Sequence, residues 1–301
     1  MLTSIIIPSI VRESLYPLVS DLLRQTYEGP FEVVIVAQPC GRLERARLPA
    51  DPRIVVHEAP LGLGIGRYRQ LGAAHARGDV LAWIDDDERP RGPEWLARLT
   101  APIRNGQERV VTSGCHIPLG HGYIADSISW LGLPGGGYPG FETMWPVDAH
   151  GYTNHLCTGN FAIARGTLAA VGGFDAALTS GNEDTDLADR LHAAGVPLKY
   201  AADATVLHAA RTRVGEFARW HLERGRAHRQ FLARESRAHG AKVAGRLRSS
   251  LAIIGRAART RYLPGVLALT GLQYACQAAG FLPRTRFIER LAARARTLFG
   301  R

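Results

Sequence analysis

Residues 83–90 read Trp-Ile-Asp-Asp-Asp-Glu-Arg-Pro, four acids in a row at the end of the apolar run "VLAWI". Carboxylates a few ångströms apart repel by roughly 4 kcal/mol per pair at an effective dielectric near 20. A chain that crowds them needs a counter-charge. In a strand, residues two apart share a face, so Asp85 and Asp87 are expected to converge while Asp86 points elsewhere. Ligands of an open α/β sheet sit outside the carboxyl ends of its strands. Converging carboxylates there suit a hard divalent cation, Mg²⁺ or Mn²⁺, and such a cation usually also holds phosphates.

Three other places offer chemistry. Arg67 and Arg69 lie where a Gly-rich segment runs into a helix, a good position for a diphosphate. The spacing there is neither a dinucleotide fingerprint nor a Walker loop, because Arg stands where GxGxxG needs its last glycine and no GKS or GKT follows. Glu183-Asp184 opens a helix, and a carboxylate held in such a site can deprotonate a hydroxyl. His208 ends the apolar run "ATVLH", and neutral imidazole is a good metal ligand. Taken singly, each has an ordinary reading as well: a solvated acidic turn, surface arginines, helix-capping acids, a polar strand end.

The elements that must position these residues alternate. "SIIIP" and "FEVVIVA" are apolar runs of strand length, and between them Leu15, Leu18, Val19, Leu22 and Leu23 recur at helical spacing. That is a strand–helix–strand unit and favours a parallel sheet. "RIVVHEA" predicts a third strand, the segment after Gly62 a helix stopping at Gly78, "VLAWI" a further strand, and "GPEWLARL" a helix with Pro93 near its first turn. Residues 112–155, rich in Gly, Pro, His and aromatics, read as loop with short strands. "NEDTDLADRLHAAG" predicts a helix with acids in its first turn and Gly195 as its stop, and "KYAADATVLH" a last strand.

Composition divides the chain. Residues 1–210 carry 17 Lys+Arg against 23 Asp+Glu, whereas residues 211–301 carry 20 against 4. The first part is a globular catalytic candidate. The second reads as a basic helical extension whose partners are anionic. Tyr262–Pro283 is 22 residues without a charge, interrupted by Gln273, Gln277 and three glycines. Helices lying on the cytoplasmic face of a membrane are the favoured expectation, ahead of packing on the catalytic part and of a true span. Nucleic acid is disfavoured, since the tail lacks interleaved aromatics. The N-terminus reads as a first strand and not a signal peptide. Scattered Cys40, Cys115, Cys157 and Cys276 read as free thiols in a reducing, cytoplasmic compartment.

In order and spacing, "SIIIPS" with Arg12, Gln25-Thr26-Tyr27, "FEVVIV", "RQLG", "GDVLAWIDDD", "GNFAIAR", "GGFD", "NEDTDLADRLHAAG" and "VLH" resemble a family 2 glycosyltransferase with a GT-A fold, over roughly residues 2–210. The resemblance implies an α/β fold with a mostly parallel open sheet flanked by helices, about 1–110 forming a nucleotide-sugar half and 111–210 an acceptor half, followed by the helical extension at 211–301. It implies an inverting transfer from a UDP- or GDP-linked sugar to a glycan or lipid-linked acceptor. Pro8, Arg12, Gln38, Arg69, Asp85 and Asp86 would bind the nucleotide sugar, with Asp85 at the ribose or the metal's water shell. Asp87, His208 and Asp85 would hold Mn²⁺ or Mg²⁺. Asp184 would be the base and Glu183 its orienting neighbour, with Gly159 and Asn160 facing the acceptor. Two departures stand out. "AQPCG" replaces the acidic segment usual after the second strand, leaving Gln38 as the group able to bond a base edge, and Gln70 replaces an Asn. A nucleotidyltransferase of similar topology would want a Gly-rich loop after the first strand, which "PSIVRESL" lacks. An inactive homologue, or an anion-binding protein acting through its basic tail, is the remaining alternative.

Overall fold

A computed structural model describes residues 1–38, 43–132, 146–179, 181–232 and 249–282. Cys40 and residues 133–140 of the segment "GLPGGGYPG" lie outside the described residues. The strands are β1 (Thr3–Ser9), β2 (Phe31–Ala37), β3 (Ile54–Glu58), β4 (Val80–Ile84), β5 (Glu88–Pro90), β6 (Val110–Thr112), β7 (Cys115–His116), β8 (Tyr152–Thr153), β9 (Asn160–Ala164), β10 (Leu198–Tyr200) and β11 (Val206–His208). The helices are α1 (Leu15–Leu23), α2 (Ile65–His75), α3 (Trp95–Arg104), α4 (Tyr123–Leu131), α5 (Arg165–Ala170), α6 (Glu183–Ala193) and α7 (Val214–Leu232), then α8 over 249–257 and α9 (Leu263–Phe281).

One eight-stranded sheet runs β3-β2-β1-β4-β9-β6-β10-β8, and a small sheet runs β5-β11-β7. β1, β2, β3 and β4 are mutually parallel where they pair, and β9 runs against both β4 and β6. Both faces of the sheet are covered, which is why its strands read as continuous apolar runs. On one face Ile5, Ile7, Val33, Ile35, Ala82 and Ile84 meet the apolar stripes of α1 and α3. On the other, Ile6, Val34, Val36, Leu81, Trp83 and Phe161 meet α2, α5 and α6. Gly195, at φ +70°, ends α6 as expected.

Two expectations fail locally. The stretch 112–155 holds a helix, α4, whose buried side includes Asp126, Ser127 and Ser129. Polar residues on the buried face hide the helical period. "KYAADATVLH" is not one strand: a turn at 202–203 splits it into β10 in the main sheet and β11 in the small one.

The tail packs on the catalytic part. Ile128 and Leu131 of α4, Phe217 of α7, Ile253 and Ala257 of α8, and Tyr262, Val266 and Leu269 form one apolar cluster. Tyr262 Oη donates to Asp126 Oδ2 at 2.9 Å, while Oδ1 of the same carboxylate takes the N–H groups of Gly120 and His121. α7 and α9 touch backbone to backbone: a Cβ added at Gly225 would stand 2.1 Å from the Gln277 carbonyl oxygen, and one at Gly280 would stand 2.0 Å from that of Leu222. No helix among the described residues is long and apolar enough to cross a membrane.

His221 sits in this joint, 2% exposed, its Nδ1 accepting from Gln277 Nε2 at 3.0 Å. Burial, reinforced by Arg224 and Arg211, holds its pKa down to about 3. Between that value and the unfolded value of 6.5, the unfolded chain binds a proton that the native chain does not. Each pH unit below 6.5 therefore costs about 1.4 kcal/mol of stability. The melting temperature of the wild type should fall relative to His221→Gln as pH drops from 7 to 5; parallel curves would contradict the assignment.

Candidate active site

The sheet order places β1 between β2 and β4, so the chain reverses its direction of build-out at β1, and the crevice at the carboxyl ends of β1 and β4 is where such sheets bind ligands. A cleft of about 330 Å³ opens there, lined from the sheet side by Pro8, Arg12, Arg69 and residues 85–88, and from across by Glu183, Asp184 and His208.

The acidic run lies in a turn beyond β4, closed by Glu88 N–H donating to the Asp85 carbonyl at 3.1 Å. The expectation that strand alternation aims these side chains therefore gives way to turn geometry, and each acid has its own compensation. Asp86 is buried, 1% exposed. Its Oδ2 accepts from Ser9 Oγ at 2.8 Å and Ile10 N at 3.0 Å, and its Oδ1 pairs with Arg12. Its carboxylate is thus bound to the β1–α1 loop, and the residue still lines the cleft. That loop carries Val11 at φ +61°, a strained conformation for a β-branched residue. Its N–H is anchored on Ser9 Oγ at 2.8 Å.

Asp85 is held by Arg69, whose Nη2 donates to both its oxygens at 2.7 and 3.0 Å. The same guanidinium, 2% exposed, donates from Nη1 to Glu183 Oε1 at 2.7 Å and from Nε to the Thr158 carbonyl at 3.2 Å. Arg69 therefore ties β4 to the start of α6. Glycines make the approach feasible: a Cβ at Gly64 would stand 2.3 Å from Thr179 Cα, and one at Gly66 3.2 Å from Glu183 Cβ. Next along α2, Gln70 Oε1 takes the Phe174 N–H at 2.8 Å, so this departure from the family pattern fastens the "GGFD" turn.

Glu88 is buried beneath the acids. Burial, then Asp85 and Asp87, hold its carboxyl well above the usual range. Its Oε2 accepts from Asp85 N at 3.1 Å. Gly159 passes directly over it, for a Cβ there would lie 2.8 Å from both Glu88 oxygens. In the small sheet Glu88 pairs with His208, and Ala209 N–H donates to the Asp87 carbonyl at 3.1 Å. This seats His208 beside Asp87.

The Asp87–His208 pair bears on metal binding. His208 Nδ1 lies 2.8 Å from the Ala209 carbonyl, and a carbonyl only accepts, so Nδ1 carries the proton. In the neutral ring Nε2 then presents a lone pair to Asp87 Oδ1, 3.9 Å away. Two acceptors facing each other want a cation between them, and an imidazole fixed through its other nitrogen is the usual form of a histidine ligand. Burial pushes Asp87 up, but positive charge beside it, from His208 in its cationic form and from Arg12 and Arg211, brings it below the usual carboxylate range. The donor set fits Mn²⁺ or Mg²⁺ better than a thiophilic metal. Among the described residues no preformed cluster of three such ligands exists; Asp85, the third expected ligand, is engaged by Arg69.

At the opposite wall, Asn182 at φ +67° leads into α6. Glu183 Oε2 is buried without a partner, and burial, against the pull of Arg69, raises its pKa. Asp184 is more open and accepts from Thr185 N at 2.7 Å. Of the expected acceptor residues, Gly159 lines the cleft but Asn160 does not face it. Asn160 is fully buried, accepting from Trp95 Nε1 and donating to the Gly114 and Ala204 carbonyls, each at 2.9 Å. Neighbouring residues entering a strand point to opposite sides. Gln38 follows β2 with its N–H on the Ser9 carbonyl and is not among the lining residues. Sequence reasoning missed Glu88 and the contributions of Arg211, Trp220 and Arg224 from the tail; the pattern Arg219-Trp220 inside a basic helix was the available signal. Cys115 and Cys157 are buried thiols whose pKa values burial raises, which makes them unreactive.

A mostly parallel sheet covered on both faces, with acids at its switch point, is an α/β fold of GT-A type. The family model for Glycosyl transferase family 2 matches residues 4–162, and the chain belongs to that family. It is 30% identical over 175 residues to a glucosyl-dolichyl phosphate glucuronosyltransferase of Haloferax volcanii, covering 54% of this chain and 51% of that protein. It is 28% identical over 205 residues to the succinoglycan biosynthesis protein ExoM of Rhizobium meliloti, covering 66% and 62%. The chain thus spans less than two thirds of either relative. In fold it is similar to the mannosyltransferase PcManGT of Pyrobaculum calidifontis, solved with GDP-Man and Mn²⁺, with TM-score 0.58, 17% identity and coverage of 99% and 81%. GalNAc-T7, solved with UDP, GalNAc and Mn²⁺, gives TM-score 0.56 at 17% identity, covering 74% and 47%.

Removing the shared guanidinium should be costly, since it strands two carboxylates. Arg69→Gln is expected to lose about 3–5 kcal/mol of stability, read as a fall in melting temperature. An unchanged melting temperature would contradict the role of Arg69 as the tie between β4 and α6.

Proposed function

We propose that this protein is an inverting, divalent-cation-dependent glycosyltransferase that moves a sugar from a nucleoside-diphosphate sugar to an acceptor hydroxyl. The observation that carries the reading is the pair of facing acceptors, Asp87 Oδ1 and His208 Nε2 at 3.9 Å, with Asp184 across the same cleft. Support comes from the fold neighbours, which were solved with GDP-Man or UDP together with Mn²⁺. A cation held by Asp87 and His208 would offset the charge of the departing diphosphate.

The chain's own groups supply the rest. Asp184 takes the proton of the acceptor hydroxyl as its oxygen attacks the anomeric carbon. The new C–O bond forms on the face opposite the breaking bond to the diphosphate, so the anomeric configuration inverts. Glu183, fixed by Arg69 and Thr158, holds the first turn of α6 and thus the position of Asp184. Arg12 and Pro8 border the nucleotide side. UDP- and GDP-linked sugars are the donor class. The relatives' names support a glycan or lipid-linked saccharide as acceptor, in polysaccharide or cell-envelope assembly.

The test separates base from binding. Asp184→Asn should lower the transfer rate by about 10²–10⁴-fold, while the same nucleotide diphosphate with Mn²⁺ still raises the melting temperature. Transfer at the wild-type rate would remove Asp184 as the base.

A further inference from the structure

Two of the four arginines that line the cleft are not paired with its acids. Arg12 is matched to Asp86 and Asp87, and Arg69 to Asp85 and Glu183. Two more arginines come from the tail. Arg211 lies with its Cζ 4.2 Å from the centroid of the Trp220 ring, and Arg224 with its Cζ 4.9 Å from the same centroid. Among the described residues neither guanidinium reaches a carboxylate within 4.0 Å. Stacking on the indole fixes both in place but leaves their N–H forks without an anion. Burial, with Arg224 and Arg12 nearby, pulls Arg211 below its ordinary value despite Asp87. Such a pair is built for a negatively charged group that comes from outside the chain.

The two arginines stand at different ends. Arg211 feels Asp87 and so borders the side of the facing acceptors. Arg224 stands toward the start of α6: a Cβ at Gly181 would lie 4.0 Å from both Arg224 Nη1 and Glu183 Oε2. An anion held by Arg224 therefore sits on the α6 side of the cleft, which Asp184 also lines.

We propose that Arg224, braced by Trp220 and Arg211, is the acceptor's anion subsite, so that the acceptor carries a phosphate or carboxylate on or next to the sugar whose hydroxyl attacks. This rests on the glycosyltransferase reading and narrows its acceptor class to anionic saccharides. It also gives the tail helix a part in specificity: α7 closes the cleft with a cation pair that a neutral glycan would leave unmatched.

The experiment uses the full chain with Mn²⁺ and whichever of UDP or GDP binds, at saturation, and measures the affinity of three small acceptor probes by calorimetry. Glucose 1-phosphate or methyl glucuronoside should bind at least about tenfold tighter than methyl glucoside, with a preference that shrinks as salt rises. Which anion is preferred tells phosphate from carboxylate. Arg224→Gln should bring the anionic probes to the level of methyl glucoside, Arg224→Lys should recover part of the difference, and nucleotide affinity should stay within about twofold. Equal binding of the three probes, or no binding of either anionic one, overturns the proposal. So does an Arg224→Gln chain that loses nucleotide affinity as much as probe affinity, since the pair would then belong to the donor. Failure of both UDP and GDP to bind the wild type is the separate result that removes the glycosyltransferase reading itself, and this proposal with it.

Discussion

Four consecutive carboxylates share one turn at the end of β4, and the surrounding structure is arranged to make that tolerable. Each acid is relieved differently. Asp86 is folded into the β1–α1 loop with Arg12 and Ser9. Asp85 is clamped by Arg69. Glu88 is pushed toward its protonated form by burial and by its neighbours. Asp87 is left facing His208, and that residual mismatch is where the proposed cation would sit. The compensation also sets the architecture: the residues that relieve the turn come from β1 and the loop after it, from α2 and from β11. Neutralising the charge and assembling the cleft are therefore one act, and an isolated change in any compensating residue disturbs both.

Much of this was legible in the sequence, for physical reasons. A sheet covered on both faces writes its strands as unbroken apolar runs, so β1, β2 and β4 could be read directly, and the apolar stripe of α1 has a clear helical period. The acids of α6 stand out because a helix N-terminus favours negative charge. What sequence could not show is pairing across distance. Arg69 looked like a free diphosphate contact and is instead the buried tie between two carboxylates 16 and 114 residues away in sequence. Asn160 looked like an acceptor contact because it follows Gly159; one step of alternation turns it inward to Trp95. α4 escaped because its buried face carries Asp126, Ser127 and Ser129, whose partners lie elsewhere in the fold.

The tail shows how composition can point to more than one outcome. Its uncharged stretch with three glycines read as material for a membrane surface. In the structure Gly265 and Gly280 are points of close approach to Ser127 and Leu222, and small residues at such points are what let backbones pack tightly. The basic helix before it does not stand apart: Trp220 and Arg224 line the same cleft as Asp184. Two arginines of the basic segment after residue 210, Arg211 and Arg224, thus face the acids of the first part across one cleft.

The central claim is that Asp87 and His208 grip a divalent cation at the switch point of the sheet. Crystals grown with Mn²⁺ and UDP or GDP test it directly through anomalous scattering from manganese. The account predicts a single strong peak between Asp87 Oδ1 and His208 Nε2, within bonding distance of both, and its loss in Asp87→Asn. A nucleotide bound in the cleft with no peak there, or with the peak at another group, would contradict it.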